Sequence, residues 1–215
     1  MQGIRFGNYH SFNDLRLILA SKTIGTPSPK TETIDIPGGD GVLDLTEYFG
    51  DTKYNNRNLT FEFSTMVPKS DFMAVFSAVQ NALHGKRMAI TLDEDPEWYY
   101  TGRISVSEWK AEKNIGKLTI DCDCEPYKKQ TRPTVITRAV SGTDTIVLTN
   151  SRKRVVPEVV IASETGLNIA FGLGNVWDLG SGSFTLPELE LAEGENTVTV
   201  TGTGTITFTY QQGKL

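Results

Sequence analysis

The side chains of this 215-residue chain that could do chemistry are few and scattered. Two cysteines, Cys122 and Cys124, stand one residue apart, and the only histidines are His10 and His84. A zinc site takes about four nitrogen or sulfur ligands, and neither an HExxH pair nor a second cysteine pair completes one here. Cys122 and Cys124 share the phase of Leu118 and Ile120, while Asp121, Asp123 and Glu125 take the other. They therefore read as small apolar groups on the buried face of a strand. Alternate residues of a strand lie at or beyond the upper end of the disulfide range, so no bridge and no bound metal is expected.

Three other clusters invite a chemical reading. Asp93-Glu94-Asp95-Pro96-Glu97 gathers carboxylates that could hold Ca²⁺, but no Gly or carbonyl-rich continuation makes a calcium loop, and a solvated turn is the expectation. Gly38, Gly39 and Gly41 have the density of a phosphate loop, yet Val42-Leu43-Asp44 follows where a Lys and a hydroxyl would open a helix. Gly180-Ser181-Gly182-Ser183 does not match GxSxG, and both histidines lie far upstream, so a serine triad has no local support. No catalytic residue, cofactor site or metal site is expected; a hydrolase is the least supported reading.

The elements that would position these groups are mostly strands. Leu59, Phe61 and Phe63 alternate with Asn58, Thr60 and Glu62, the period of a half-buried antiparallel strand. Thr33–Ile36 and Val42–Leu45 flank Pro37-Gly38-Gly39-Asp40-Gly41 and predict a hairpin. Further strands are expected at Ile4–Phe6, Leu15–Ala20, Asn58–Met66, Met88–Leu92, Trp98–Trp109 and Lys113–Glu125. Tyr100, Ile104 and Val106 keep one phase that Trp109 leaves, which predicts a bulge near Ser107. One helix is predicted from Ser70 to His84, where Phe72, Val75, Phe76, Val79 and Leu83 recur at helical spacing, with Ser70 as cap and Gly85 as the residue after the end.

Composition changes after Tyr127. Lys128-Lys129-Gln130-Thr131-Arg132-Pro133 has the polar, proline-terminated character of a boundary exposed to protease. Residues 1–132 carry 34 charged groups and residues 133–215 only 13. Short strands are expected at Thr134–Ala139, Asp144–Leu148, Val155–Ala162, Leu167–Phe171, Asn175–Leu179 and Ser183–Leu186, ending in an alternating pair, Thr197–Thr201 and Thr205–Tyr210. That spacing predicts a β-sandwich, which is expected to be monomeric in isolation. The fold class is thus mainly β: a β-rich α+β first domain (1–132) with one helix, and a second sandwich domain (133–215). The net charge of −5 and the absence of a basic run argue against a nucleic-acid surface. No apolar signal core or long apolar run is present, so synthesis in a cytoplasm without membrane insertion is the expectation.

The stretch IPGGDGVLDLT (Ile36 to Thr46), then YNNRNLTFEF (Tyr54 to Phe63), LHG (Leu83 to Gly85), YYTGRI (Tyr99 to Ile104), CEPY (Cys124 to Tyr127) and the closing LAEGENTVTVTGTGTITFTY (Leu191 to Tyr210) resembles the distal tail protein family of long non-contractile-tailed bacteriophages. The matching positions are Pro37, Gly38, Asp40, Gly41, Asp44, Arg57, Gly85, Gly102, Pro126 and Tyr127. The resemblance implies a structural, non-enzymatic protein of the virion tail tip. It implies a homo-oligomeric, hexameric ring whose partners are the tail tube protein, the tail-associated tip protein and a receptor-binding protein. The second domain is expected to be galectin-like and displayed outward. DNA would pass through the ring without stable binding, which suits an acidic chain. Asp44 and Arg57 could pair to brace the hairpin.

The alternative function is a carbohydrate-binding module for the host surface. Trp177 with Asn175, Asn168 and Arg154 could supply an aromatic platform, amides and a guanidinium. Galectins that bind sugar carry a His beside their Asn and Arg, and residues 133–215 contain no histidine. A Trp in phase with Asn175 and Leu179 is the mark of a core or contact residue.

Overall fold

Period-two alternation in the first part of the chain builds one antiparallel sheet, described here from a computed structural model covering residues 2–48, 50–112, 115–172 and 174–215. The chain divides into two units, Met1–Lys128 with Leu215, and Lys129–Lys214. The first unit contains strands β1 (Ile4–Phe6), β2 (Tyr9–His10) and β3 (Ile18–Ile24), a hairpin of β4 (Thr33–Asp35) and β5 (Val42–Asp44), then β6 (Arg57–Thr65), helix α1 (Phe72–Leu83), β7 (Arg87–Leu92), β8 (Trp98–Glu112) and β9 (Ile115–Cys124). The sheet runs β2-β1-β7-β8-β9-β6-β3. Lys113 and Asn114, the first positions of the strand expected at Lys113–Glu125, lie outside the described residues, as does Phe49.

One face of this sheet is the core. Leu59, Phe61 and Phe63 of β6 face the same side as Ile104 and Val106 of β8 and Leu118, Ile120, Cys122 and Cys124 of β9, all buried. Phe6 meets Phe61 and Phe63 edge-on at 6.0 and 6.3 Å between ring centroids, an attractive geometry for their quadrupoles. The strand expected at Leu15–Ala20 starts later, at Ile18, because Leu15 and Leu17 fill the core from the irregular segment before it rather than from a ladder. The expected bulge is present: the β8–β9 register shifts between Val106 and Glu108. That extra residue turns Trp109 to stack on Phe76 at 5.3 Å and meet Phe72 edge-on.

Helix α1 begins two residues later than predicted, after a short 3₁₀ turn at Lys69–Asp71. Ser70 does not cap it; its hydroxyl donates to Asp71 instead. At the other end Gly85 adopts φ +75°, the left-handed conformation a side chain disfavours. The Lys86 ammonium donates to the carbonyls of Asn81 and Ala82, satisfying oxygens that the helix end leaves open.

β10 (Lys128–Gln130) starts on the last residue of the first unit's main segment, and the second unit continues with β11 (Thr134–Asn150), β12 (Glu158–Ala162), β13 (Leu167–Phe171), β14 (Asn175–Leu179), β15 (Gly182–Thr185), β16 (Gly194–Tyr210) and β17 (Gly213–Lys214). Here the structure corrects several expectations. Thr134–Ala139 and Asp144–Leu148 are one 17-residue strand, and so are Thr197–Thr201 and Thr205–Tyr210. The two long strands pair along their whole length, Thr134 opposite Tyr210 and Asn150 opposite Gly194. Gly142 and Gly202 sit opposite each other at φ +90° and +135°. They read as turn residues but bend the ribbon, a role open to residues without a Cβ.

The bend lets β16 pair with β13 through Val198–Gly202 and with β12 through Thr205–Thr209. The expected sandwich therefore arises from one continuous sheet, β14-β13-β16-β12-β15 with β11 along the other side of β16, whose two halves share one core. Lys128–Pro133 is not an open linker either. Lys128–Gln130 pairs with Gly213–Lys214, the Gln130 N–H donates to the Gln212 carbonyl, and within the stretch only Thr131, Arg132 and Pro133 are exposed.

Candidate functional site

The histidines and the acidic turn are spoken for by structure. His10 Nδ1 accepts the backbone N–H groups of Phe12 and Asn13, both at 3.2 Å, so its proton sits on Nε2 and is donated to Asp93 Oδ2 at 3.0 Å. Asp93 also accepts the Gly3 N–H at 2.8 Å. Burial pushes the Asp93 carboxyl up, but the bonds from His10 and Gly3 together outweigh it and hold the group below its ordinary value. Glu94 pairs with Lys22 and Asp95 with Lys128 at 2.5 Å. The expected solvated turn is thus a staple, its carboxylates engaged with three distant parts of the first unit. His84 Nδ1 accepts the Val106 N–H at the bulge. Among the described residues no cluster of three or more His, Cys, Asp or Glu could hold a metal ion.

Cys122 and Cys124 are free thiols with no exposed surface. Burial raises both above the ordinary thiol range, helped at Cys124 by Asp123, which brings that thiol to about 12. Neutral, enclosed thiols are poor nucleophiles. Ellman-type labelling is expected to be slow in the native protein and complete at two thiols after unfolding. Rapid native labelling would mean that β9 exposes its other face.

Arg57 is the chemically unusual residue of the first unit. It continues the row Leu59, Phe61, Phe63 and is 8% exposed, so a guanidinium stands at the rim of the core. Its Nε donates to the Gly25 carbonyl at 2.8 Å and its Nη1 to the Pro126 carbonyl at 3.3 Å, and its Cζ lies 5.2 Å from the Tyr100 ring centre. Asp44 is not its partner: that carboxylate accepts the Thr46 N–H at 2.9 Å. Bonds from Thr46 lower the Asp44 carboxyl. Arg57 and Gly102 both stand opposite Cys124, where a Cβ on Gly102 would fall 2.4 Å from the Cys124 sulfur. Tyr127 meets Tyr54 edge-on at 5.9 Å. The structure thus gathers Arg57, Gly102, Pro126 and Tyr127 into one brace, and adds Gly25, Tyr54 and Tyr100. Arg57 sharing the parity of the core phenylalanines was the available signal; its carbonyl partners, 32 and 69 residues away, carried none.

Pro37, Gly38, Asp40, Gly41 and Asp44 belong to the separate β4–β5 hairpin. Gly38 and Gly41 hold φ near +76° and +78°, and the Gly39 N–H closes the turn on Ile36. Every residue of both strands is exposed, although Ile34, Ile36, Val42 and Leu43 are apolar. Ile34 stands opposite Leu43 with Ile36 in the same phase, so one face of the arm is apolar. A contiguous exposed patch of this kind is the mark of a contact surface.

The candidate sugar site does not converge. Trp177 lies opposite Ile169 and packs against the core of the second unit, whereas Asn168 faces the other side of β13. Asn175 is exposed, in the phase of Trp177, and Arg154 pairs with Glu190 at 3.4 Å. Ser181 exchanges hydrogen bonds with the Ser163 backbone, closing a turn. Because Trp177 is half-buried, Trp177→Ala is expected to cost about 2 kcal/mol, below the cost of a fully buried ring. Thermal denaturation reads this; an unchanged melting point with a lost glycan affinity would return the ring to a binding role.

No protein-family model and no curated protein matches the chain. Among solved structures, the chain is similar to the Dit protein of phage SPP1, described as a paradigm of the hub adsorption apparatus in phages infecting Gram-positive bacteria. The TM-score is 0.72 at 15% identity, over 98% of this chain and 99% of that one. At that identity the likeness is one of fold, and it spans both units.

Proposed function

We propose that this chain is a structural subunit of the tail tip of a long non-contractile-tailed phage, a distal tail protein whose six copies form a ring. In this reading the ring joins the tail tube protein on one side to the tail-associated tip protein on the other. The second domain, 133–215, is galectin-like, faces outward and offers the mount for a receptor-binding protein. The observation that carries the reading is the full-length likeness to a phage tail hub protein, both units included. It is supported by the motif positions in the first unit and by the apolar hairpin, which a monomer has no use for.

A ring needs a heterologous contact that closes under rotation. An arm displayed on one side of a unit, docking on a different surface of the next copy, makes such a contact. The chain's role is to hold its neighbours, so the buried Arg57 brace, the acidic staple and the enclosed thiols serve stiffness rather than turnover. Negative-stain class averages of the full-length protein, alone and with the tail tube protein, test the proposal. Sixfold rings are expected in at least one condition; particles that stay monomeric in both overturn it.

A further inference from the structure

The longest unpaired strand edge in the described residues belongs to β11. Its 17 residues, about 55 Å at the usual rise, bond to β16 along one edge and to no other strand along the other. Natural edges are normally defended by prolines, inward charges, bulges or short length. Between Thr134 and Asn150 there is no proline, and the only charges, Arg138 and Asp144, lie in the phase of Val140 and Ile146, where they oppose an arbitrary strand but not one that answers each with its opposite. Among the described residues neither forms an ion pair: Arg138 donates to the neighbouring Thr137 carbonyl, and Asp144 accepts the Thr145 N–H.

The order of residues along that edge is close to self-complementary about Ser141. Counting outward in both directions, Thr137 matches Thr145, Ile136 matches Ile146 and Val135 matches Val147, while Arg138 falls against Asp144. We infer that the open edge of β11 pairs antiparallel with β11 of a second copy, centred on Ser141, so that one sheet runs through both second units. In that register Arg138 meets the partner's Asp144 and Asp144 meets the partner's Arg138. The β-branched residues face their own kind, a favourable cross-strand set.

Parity agrees. Each residue meets one of the same phase, so Val140, Ile146 and Leu148, all buried on the core face, keep both cores on one side of the joined sheet. The bend agrees as well. Gly142 lies next to the centre, so the kinks of both copies coincide instead of prying the strands apart. The contact is isologous and separate from the hairpin arm. The monomer expected for residues 133–215 considered only the faces of the sheet, and this edge revises it.

Cysteine trapping in the full-length chain tests the register. In S141C the two new thiols face each other across the two-fold, with Cα atoms about 4.5–5.5 Å apart, within bridging range. Mild oxidation is expected to give a covalent dimer on a non-reducing gel. T143C is the control: each position 143 faces the partner's Ala139, leaving the two thiols about four residues apart along the strand, out of reach. Adding R138D or D144R to S141C opposes like charges twice and should lower the yield roughly tenfold, and R138D/D144R together should restore it. Circular dichroism confirms that each variant is folded. No S141C dimer, a T143C dimer of equal yield, or a yield indifferent to the charge swaps overturns the inference.

Discussion

Replacing Ile34 and Leu43 together with Asp is expected to abolish the ring assembly proposed for this chain while leaving the melting temperature within about 2 °C of the parent. Stability should hold because the two side chains are already 52% and 49% exposed and support no core of their own. Assembly should fail because they stand opposite each other on the apolar face of the β4–β5 arm. With Ile36, which shares their phase, they leave about half of three apolar side chains in water on that face. Covering that surface stabilises each contact by roughly 2–4 kcal/mol, and a closed ring repeats the contact at every subunit. Two buried carboxylates would reverse its sign, since burying an unpaired charge costs several kcal/mol. Sedimentation and class averages read the result. Rings that persist in the double variant would place the contact elsewhere and leave the arm without the role proposed for it.

The second large effect is expected at Arg57. Arg57→Ala removes the donors for the Gly25 and Pro126 carbonyls and the cation over Tyr100. Hydrogen bonds from a charged donor contribute about 1.5–3 kcal/mol each, and a partly desolvated cation–π contact about 1–2. Allowing for incomplete additivity, the loss is about 3–5 kcal/mol, and the first unit should melt more than 10 °C lower. Arg57→Lys should recover less than half of this, because a single ammonium cannot reach two divergent carbonyls and stay over the ring as the planar guanidinium fork does. Asp44→Ala should change stability little, since Asp44 is exposed and engages only its own turn. A double-mutant cycle measures the coupling directly. Strong coupling between positions 44 and 57 would show that the carboxylate reaches the guanidinium after all.

Both predictions concern residues whose importance could be suspected from pattern but whose partners could not. Arg57 keeps step with Leu59, Phe61 and Phe63, so its inward direction was written in the parity of β6. What it would find there depended on where Gly25 and Pro126 come to rest. The acidic turn at Asp93 shows the same limit. A cluster of carboxylates after a strand looks solvated until His10, Lys22 and Lys128 arrive from three other segments. Trp177 could be assigned to a core phase, while the scattering of Asn168 and Arg154 depended on the paths of β13 and the loop after β11.

The amino-acid sequence by itself determined what repeats within a few residues: the two-residue period of the core strands, the helical recurrence from Phe72 to Leu83, the positive-φ hairpin tip, the bulge that releases Trp109, and the burial of Cys122 and Cys124. These follow from geometry local to the backbone, where a side chain's direction depends only on its neighbours' dihedral angles. The tertiary structure alone decided whether a glycine ends a strand or bends it. Gly142 and Gly202 became kinks because β11 and β16 found each other over their whole length and β13 and β12 shared the far side of β16. It alone decided which strand edge stayed open, because an edge is defined by the absence of a neighbour, and neighbours in a sheet are chosen by contacts far apart in the chain.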